Sequence, residues 1–160
     1  MNITVIGGGN IGTLMAAEMA HKGHSVTIYT SRPERWSREL QVYDPDDTLL
    51  LTGTIAHLTH SMEEALREAE LVWITLPAQL FSQTAASMLP FARAGLRIGM
   101  VPGSGGAEFA FRPLIQKGCV LFGLQRVHSI ARLKEYGHSV YMLGRKSELQ
   151  IGSIPSGEAE

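Results

Sequence analysis

The sequence predicts an α/β fold: a doubly wound, mostly parallel sheet with helices on both faces and antiparallel strands toward the C-terminus. Three observations carry this. Short apolar runs rich in β-branched residues alternate with amphipathic stretches along the chain. The first run, Ile3-Thr4-Val5-Ile6, ends in the glycines Gly7-Gly8-Gly9. A second strand-like run follows within ~30 residues, the length of one βαβ unit.

Taken in order, Ile3 to Ile6 is the first strand. Ile11, Leu14, Met15 and Met19 then recur at helical spacing up to Gly23, which stops the helix. Ser25 to Tyr29 is the second strand. Between Pro33 and His60 the pattern is less regular: a short helix from Glu34 to Leu40, a turn at Asp44-Pro45-Asp46-Asp47, then meandering edge strands at Thr48 to Leu51 and Ile55 to Leu58. Ser61-Met62-Glu63-Glu64 has capping-box spacing and opens a helix to Ala69. Leu71 to Leu76 is a buried strand, Gln79 to Leu89 a helix, Arg97 to Val101 a strand, Ala107 to Lys117 a helix and Val120 to Leu124 a strand. The stretch from Gln125 to Ile154 reads as short antiparallel strands finishing the sheet. One nucleotide-binding domain is expected over residues 1–155, with 156–160 as a flexible tail or linker.

Composition bounds the function classes. With 160 residues, 44% of them hydrophobic, the chain can bury one proper core. Its net charge of -1 and scattered Lys and Arg exclude an electrostatic footprint for nucleic acid or anionic lipid, leaving a small molecule as the expected partner. Cys119 is the single cysteine, which excludes an internal disulfide framework and a multi-cysteine zinc site. No apolar run approaches the ~18 residues of a membrane span, and the apolar start lacks the basic segment of a signal peptide. A soluble, cytoplasmic protein is expected.

The chemistry sits in the glycine turn. Gly7-x-Gly9-x-x-Gly12 between a strand and a helix is the Rossmann dinucleotide fingerprint: Gly7 makes the tight turn, Gly9 admits the pyrophosphate, and Gly12 lets helix and strand pack closely. The N–H groups of Asn10 and Ile11 open the helix and face the phosphates with its positive dipole end. At the end of the second strand, where an NAD-selective site carries Asp or Glu, this chain has Thr30-Ser31-Arg32. Two hydroxyls and a guanidinium suit a 2′-phosphate, so NADP(H) is favoured, with NAD(H) the alternative. The loops Leu76-Pro77-Ala78 and Pro102-Gly103-Ser104-Gly105-Gly106 follow later strands and should also border the cofactor.

Other residues are weaker candidates. Arg126 and His128 follow a strand and could touch substrate or nicotinamide, a structural role being the alternative. His57 and His60 lack further ligands, so no metal site is expected. His21 and His24 read as surface residues, Cys119 as inert packing and Trp73 as core.

Beyond these motifs, Gly7-Gly8-Gly9-Asn10-Ile11-Gly12, Leu76-Pro77-Ala78 and Val101-Pro102-Gly103-Ser104-Gly105-Gly106-Ala107-Glu108-Phe109 resemble the opine dehydrogenase family, the octopine and nopaline dehydrogenases. Gln125-Arg126-Val127 and Arg132-Leu133-Lys134-Glu135-Tyr136-Gly137 look similar to it as well. The resemblance implies the N-terminal NAD(P)-binding domain of an enzyme that reductively condenses a 2-keto acid with an amino acid by hydride transfer to an imine. It also implies that the catalytic His belongs to a following helical domain, absent from this chain, so that catalytic residues are unassigned here. The chain is then expected to be a fragment, a split-enzyme component, or a stand-alone non-catalytic NADP(H)-binding or sensor module. The first motif alone also fits the nucleotide domain of a ketopantoate-reductase-like enzyme. An isolated nucleotide domain would expose an apolar face able to drive a homodimer.

Overall fold

The protein is described by a computed structural model covering residues 1–156; most of the expected tail, residues 157–160, lies outside the described residues. In chain order the elements are β1 (Asn2–Ile6), α1 (Asn10–His21), β2 (Ser25–Tyr29), β3 (Glu39–Tyr43), β4 (Leu49–Thr54), β5 (His57–Thr59), α2 (Met62–Leu66), β6 (Leu71–Ile74), α3 (Phe81–Met88), β7 (Arg97–Met100), α4 (Ala107–Gln116), β8 (Val120–Leu124), β9 (Ser129–Glu135), β10 (Ser139–Arg145) and β11 (Ile151–Ile154). Single 3-10 turns occupy Pro33–Arg35 and Ala78–Leu80.

The main sheet has the order β11-β8-β7-β6-β1-β2-β5 and is parallel except for the antiparallel pair of β8 with β11. Its strands β5-β2-β1-β6-β7-β8 stand in the 3-2-1-4-5-6 order of a doubly wound fold. The chain therefore changes direction between β1 and β6, where such folds open a crevice at the carboxyl ends of the strands. Alternate side chains divide between two layers. Val72, Ile74, Ile98, Met100 and Leu121 pack against α2, α3 and α4 through Leu66, Met88, Phe111 and Leu114. Ile3, Val5, Val26, Ile28 and Trp73 face the layer that holds α1.

That second layer is thicker than expected. A four-stranded sheet, β4-β3-β10-β9, covers α1 from outside; β3 and β10 run parallel at its centre and their partners run antiparallel. Gly12 through Glu18 are consequently all buried. β4 crosses α1 so closely that a Cβ on Gly53 would lie 2.3 Å from the carbonyl oxygen of Ala17. Only glycine allows that approach.

Four expectations need correction. Glu34 to Leu40 is not a helix: one 3-10 turn at Pro33–Arg35 gives way to β3, because Leu40 and Val42 alternate with polar neighbours and both are fully buried. The strands after Gln125 do not all finish the main sheet: only β11 does, while β9 and β10 build the sheet over α1. α2 ends at Leu66, not Ala69, and the Arg93 guanidinium donates to the carbonyls of Leu66, Arg67 and Ala69 at and beyond its end. The capping box is half-made. Ser61 Oγ accepts from the Glu64 N–H at 3.3 Å, but the Glu64 carboxylate turns to the Thr59 hydroxyl at 2.6 Å, and that hydrogen bond, with one from His57, holds its carboxyl below the usual value.

On the outer face of the second sheet the Lys134 ammonium pairs with Asp47 and sits 4.1 Å from the centre of the Tyr43 ring. Its hydrogen bond, and one donated by Tyr141, hold the Asp47 carboxyl below the usual value. Among the described residues no helix is long and apolar enough to cross a membrane.

Candidate functional site

The glycine turn lies at the carboxyl end of β1, and each glycine there is constrained differently. Gly7 has φ +116°, a backbone that disfavours any side chain, and a Cβ on it would meet Thr75 Oγ1 at 2.6 Å. A Cβ on Gly12 would lie 1.9 Å from the Gly7 carbonyl oxygen, the close helix-to-strand contact expected of it. Over Gly9, nothing among the described residues lies within 4 Å of where a Cβ would be. The backbone there is open to a ligand.

Gly9 caps α1, and the first helical hydrogen bond runs from the Thr13 N–H to the Gly9 carbonyl at 3.0 Å. The Asn10 and Ile11 amides precede that bond, so they are free donors beside the dipole's positive end. The Asn10 side chain is engaged elsewhere: its Oδ1 accepts from the Leu133 N–H at 2.8 Å and ties the helix start to β9.

Two residues the sequence reading missed brace this turn. Thr75, just past β6, donates its hydroxyl to the carbonyls of Ile6 and Gly7, at 3.2 and 3.1 Å. A small hydroxyl residue at the end of a buried strand was the available signal. Trp36, only 7% exposed, lies over Gly8, where a Cβ would meet its ring at 2.3 Å. Gly8 is therefore required too, although the fingerprint leaves that position free. No local pattern announces it, since Trp36 comes from beyond β2.

A cleft of about 350 Å³ opens beside the turn, walled by Gly7, Gly8, Thr30, Ser31, Leu76 and Tyr136. It brings three predicted groups together: the first glycine, the end of β2 and the loop after β6. Thr30 is buried, and its hydroxyl lies 3.4 Å from the Tyr136 hydroxyl. Ser31 and Arg32 are exposed, and Arg32 forms no ion pair among the described residues. Pro77 and Ala78 are exposed where a 3-10 turn leads into α3. Tyr136 and the α3 residues Gln83 and Thr84 also line the cleft, and none is a cofactor candidate from sequence, although Tyr136 belongs to a segment that resembles the opine dehydrogenase family.

The glycine loop after β7 forms a separate hollow of about 290 Å³ with Phe122, Gly123 and Ile154. The Gly103 N–H donates to the Leu124 carbonyl at 2.6 Å, and a Cβ on Gly103 would meet Gly123 at 3.1 Å, so the loop lies flat on β8. Pro102 is exposed and Gly105 is open, with nothing among the described residues within 4 Å of where a Cβ would be.

Arg126 is exposed past β8. His128 faces α1: its Nε2 lies 2.7 Å from Glu18, whose other oxygen takes Arg145, and the Glu18 side chain is 8% exposed. This cluster joins α1 to the second sheet. The hollow of about 390 Å³ lined by Asn2, Ser25, His57 and Glu64 is at the amino ends of β1 and β2. Ligands of parallel sheets sit at the other end, so the smaller cleft by the glycines is the better site despite its size. Among the described residues no three His, Cys, Asp or Glu cluster as a metal site.

Cys119 is buried and donates its thiol to the Arg93 carbonyl, and burial raises its pKa. A thiol kept protonated is a poor nucleophile. Thiol-labelling reagents should therefore modify Cys119 only on unfolding, which a denaturant series of labelling rates would check.

Comparison with known proteins agrees with this arrangement. Residues 2–103 match the family model described as NAD-dependent glycerol-3-phosphate dehydrogenase N-terminus. Tauropine dehydrogenase of Arabella iricolor is 25% identical, over 97% of this chain and 43% of the relative. An NAD(P)+ glycerol-3-phosphate dehydrogenase of Moorella thermoacetica is 33% identical, over 79% of this chain and 38% of the relative. A structure of octopine dehydrogenase with NADH and L-arginine superposes with a TM-score of 0.87 at 27% identity, covering 96% of this chain and 42% of that one. The resemblance to opine dehydrogenases thus runs along the whole chain, which spans less than half the length of these relatives.

Proposed function

The chain belongs to the family of NAD-dependent glycerol-3-phosphate dehydrogenase N-terminal domains, and from that premise we propose that it is the nucleotide-binding part of an opine-dehydrogenase-like oxidoreductase that prefers NADP(H) to NAD(H). The observation that carries the reading is the open backbone over Gly9, at a helix start on the switch point between β1 and β6. Gly7 and Gly12 hold that turn in shape, and the Asn10 and Ile11 amides would take the pyrophosphate. Thr30, Ser31 and Arg32 would meet the adenosine ribose and its 2′-phosphate. Leu76, Pro77 and Ala78 would continue the wall, with Pro102, Gly103 and Gly105 toward the nicotinamide. Bound there, the reduced nicotinamide supplies a hydride.

The domain is residues 1–155. Octopine dehydrogenase structures with L-arginine and with pyruvate support an amino acid and a 2-keto acid as the reactants of the whole protein. Arg126 remains open to contacts with them, whereas His128 serves as a strut through Glu18.

Titration calorimetry tests the cofactor assignment. NADPH should bind more tightly than NADH, and Arg32→Ala should weaken NADPH by roughly 1.5–3 kcal/mol, the range for a hydrogen bond to a charged group, while leaving NADH unchanged. Equal affinities in the unaltered protein contradict the preference.

A further inference from the structure

We propose that the turn between β9 and β10 takes part in choosing the cofactor: Tyr136 positions Arg35 as a second cation, beside Arg32, for the 2′-phosphate of NADP(H). The inference rests on the NADP(H) reading above and adds to it a contribution from the second sheet.

Tyr136 walls the cleft across from the glycine turn, and its hydroxyl stands 3.4 Å from Thr30 Oγ1. The Arg35 guanidinium carbon lies over the same ring, 5.5 Å from its centre. Stacking of this kind restrains a long side chain while leaving its five N–H donors free. Arg35 is exposed and forms no ion pair among the described residues, so its charge is available.

Backbone geometry puts the two arginines together. The Arg35 N–H donates to the Arg32 carbonyl at 3.1 Å, closing one 3-10 turn. Arg32, the N-cap, and Arg35, the last residue, therefore stand at the two ends of one turn. The turn is itself clamped to the second sheet. The Ser37 N–H donates to the Gly137 carbonyl at 2.9 Å, Trp36 meets Tyr136 edge-on at 5.6 Å, and Gly137, at φ +75°, passes so near the Arg35 carbonyl that a Cβ would lie 2.4 Å from it. A phosphate between two guanidiniums gains paired, charge-assisted hydrogen bonds that a ribose hydroxyl cannot offer.

The test is the ratio of NADPH to NADH affinity, measured by calorimetry in the unaltered protein and in three variants. Arg35→Gln should weaken NADPH by about tenfold, one charge-assisted contact, with NADH unchanged. Tyr136→Phe, which keeps the ring, should keep the ratio. Tyr136→Leu should lower it, because Arg35 loses its support. A general loss of stability would weaken both cofactors alike and leave the ratio alone. An NADPH preference that survives Arg35→Gln or Tyr136→Leu in full overturns this inference while the Arg32 assignment stands. Equal affinities in the unaltered protein overturn the cofactor preference itself.

Discussion

Gly12→Ala is expected to weaken dinucleotide binding about 100-fold and to destabilise the fold by about 1–3 kcal/mol, the usual range for overpacking. The added methyl would sit 1.9 Å from the Gly7 carbonyl oxygen, and backbone on one side and a fully packed helix on the other leave it nowhere to go. α1 must shift away from β1, carrying the Asn10 and Ile11 amides with it. Losing two charge-assisted bonds of about 1.5 kcal/mol each accounts for the factor of 100. Gly9→Ala is the control. It has open space and φ -80°, so its stability should stay near that of the unaltered protein while pyrophosphate binding falls. Calorimetric titration and urea unfolding of the two variants separate the contributions.

Trp36→Ala is expected to carry the largest stability loss, about 3–5 kcal/mol, as for other buried large aromatics. The indole fills the space over Gly8, meets Tyr136 edge-on and belongs to the core cluster that holds Leu40, Val42 and Val140. Removing it empties the joint between the glycine turn and the second sheet. Trp36→Phe should cost much less, because the buried Trp36 Nε1 has no hydrogen-bond partner among the described residues and its removal leaves no polar group stranded. Urea midpoints of the two variants test the ordering. Losses that are equal in size would mean that the indole's second ring contributes most of the packing.

The main sheet was legible because most of its parallel strands are short apolar runs bounded by glycine or proline, and the glycine spacing located the turn beside the cleft. The second sheet was not, because alternation in β9 and β10 shows that they are strands without saying which partners they take. The pairing of Gln41 with Ser139 joins segments that share no local signal. One clue was present: Ile11, Leu14, Met15, Ala16 and Ala17 leave α1 apolar on more than one side, and such a helix needs cover on both. Glu18 in that stretch was a second clue, since a carboxylate at a buried position requires partners, here His128 and Arg145. Cleft residues within one segment, such as Thr30 and Leu76, followed from strand ends. Tyr136 did not, because its place in the cleft depends on how the second sheet docks.

Backbone amide chemical shifts, followed while NADPH is added to the isotopically labelled protein, test the glycine-turn site most directly. The largest changes are expected at Gly9, Asn10 and Ile11 and at Thr30, Ser31 and Arg32, with none at Asn2, His57 and Glu64 around the larger hollow at the other end of the sheet. Changes confined to that hollow, or no saturable change at the glycine turn, would contradict it.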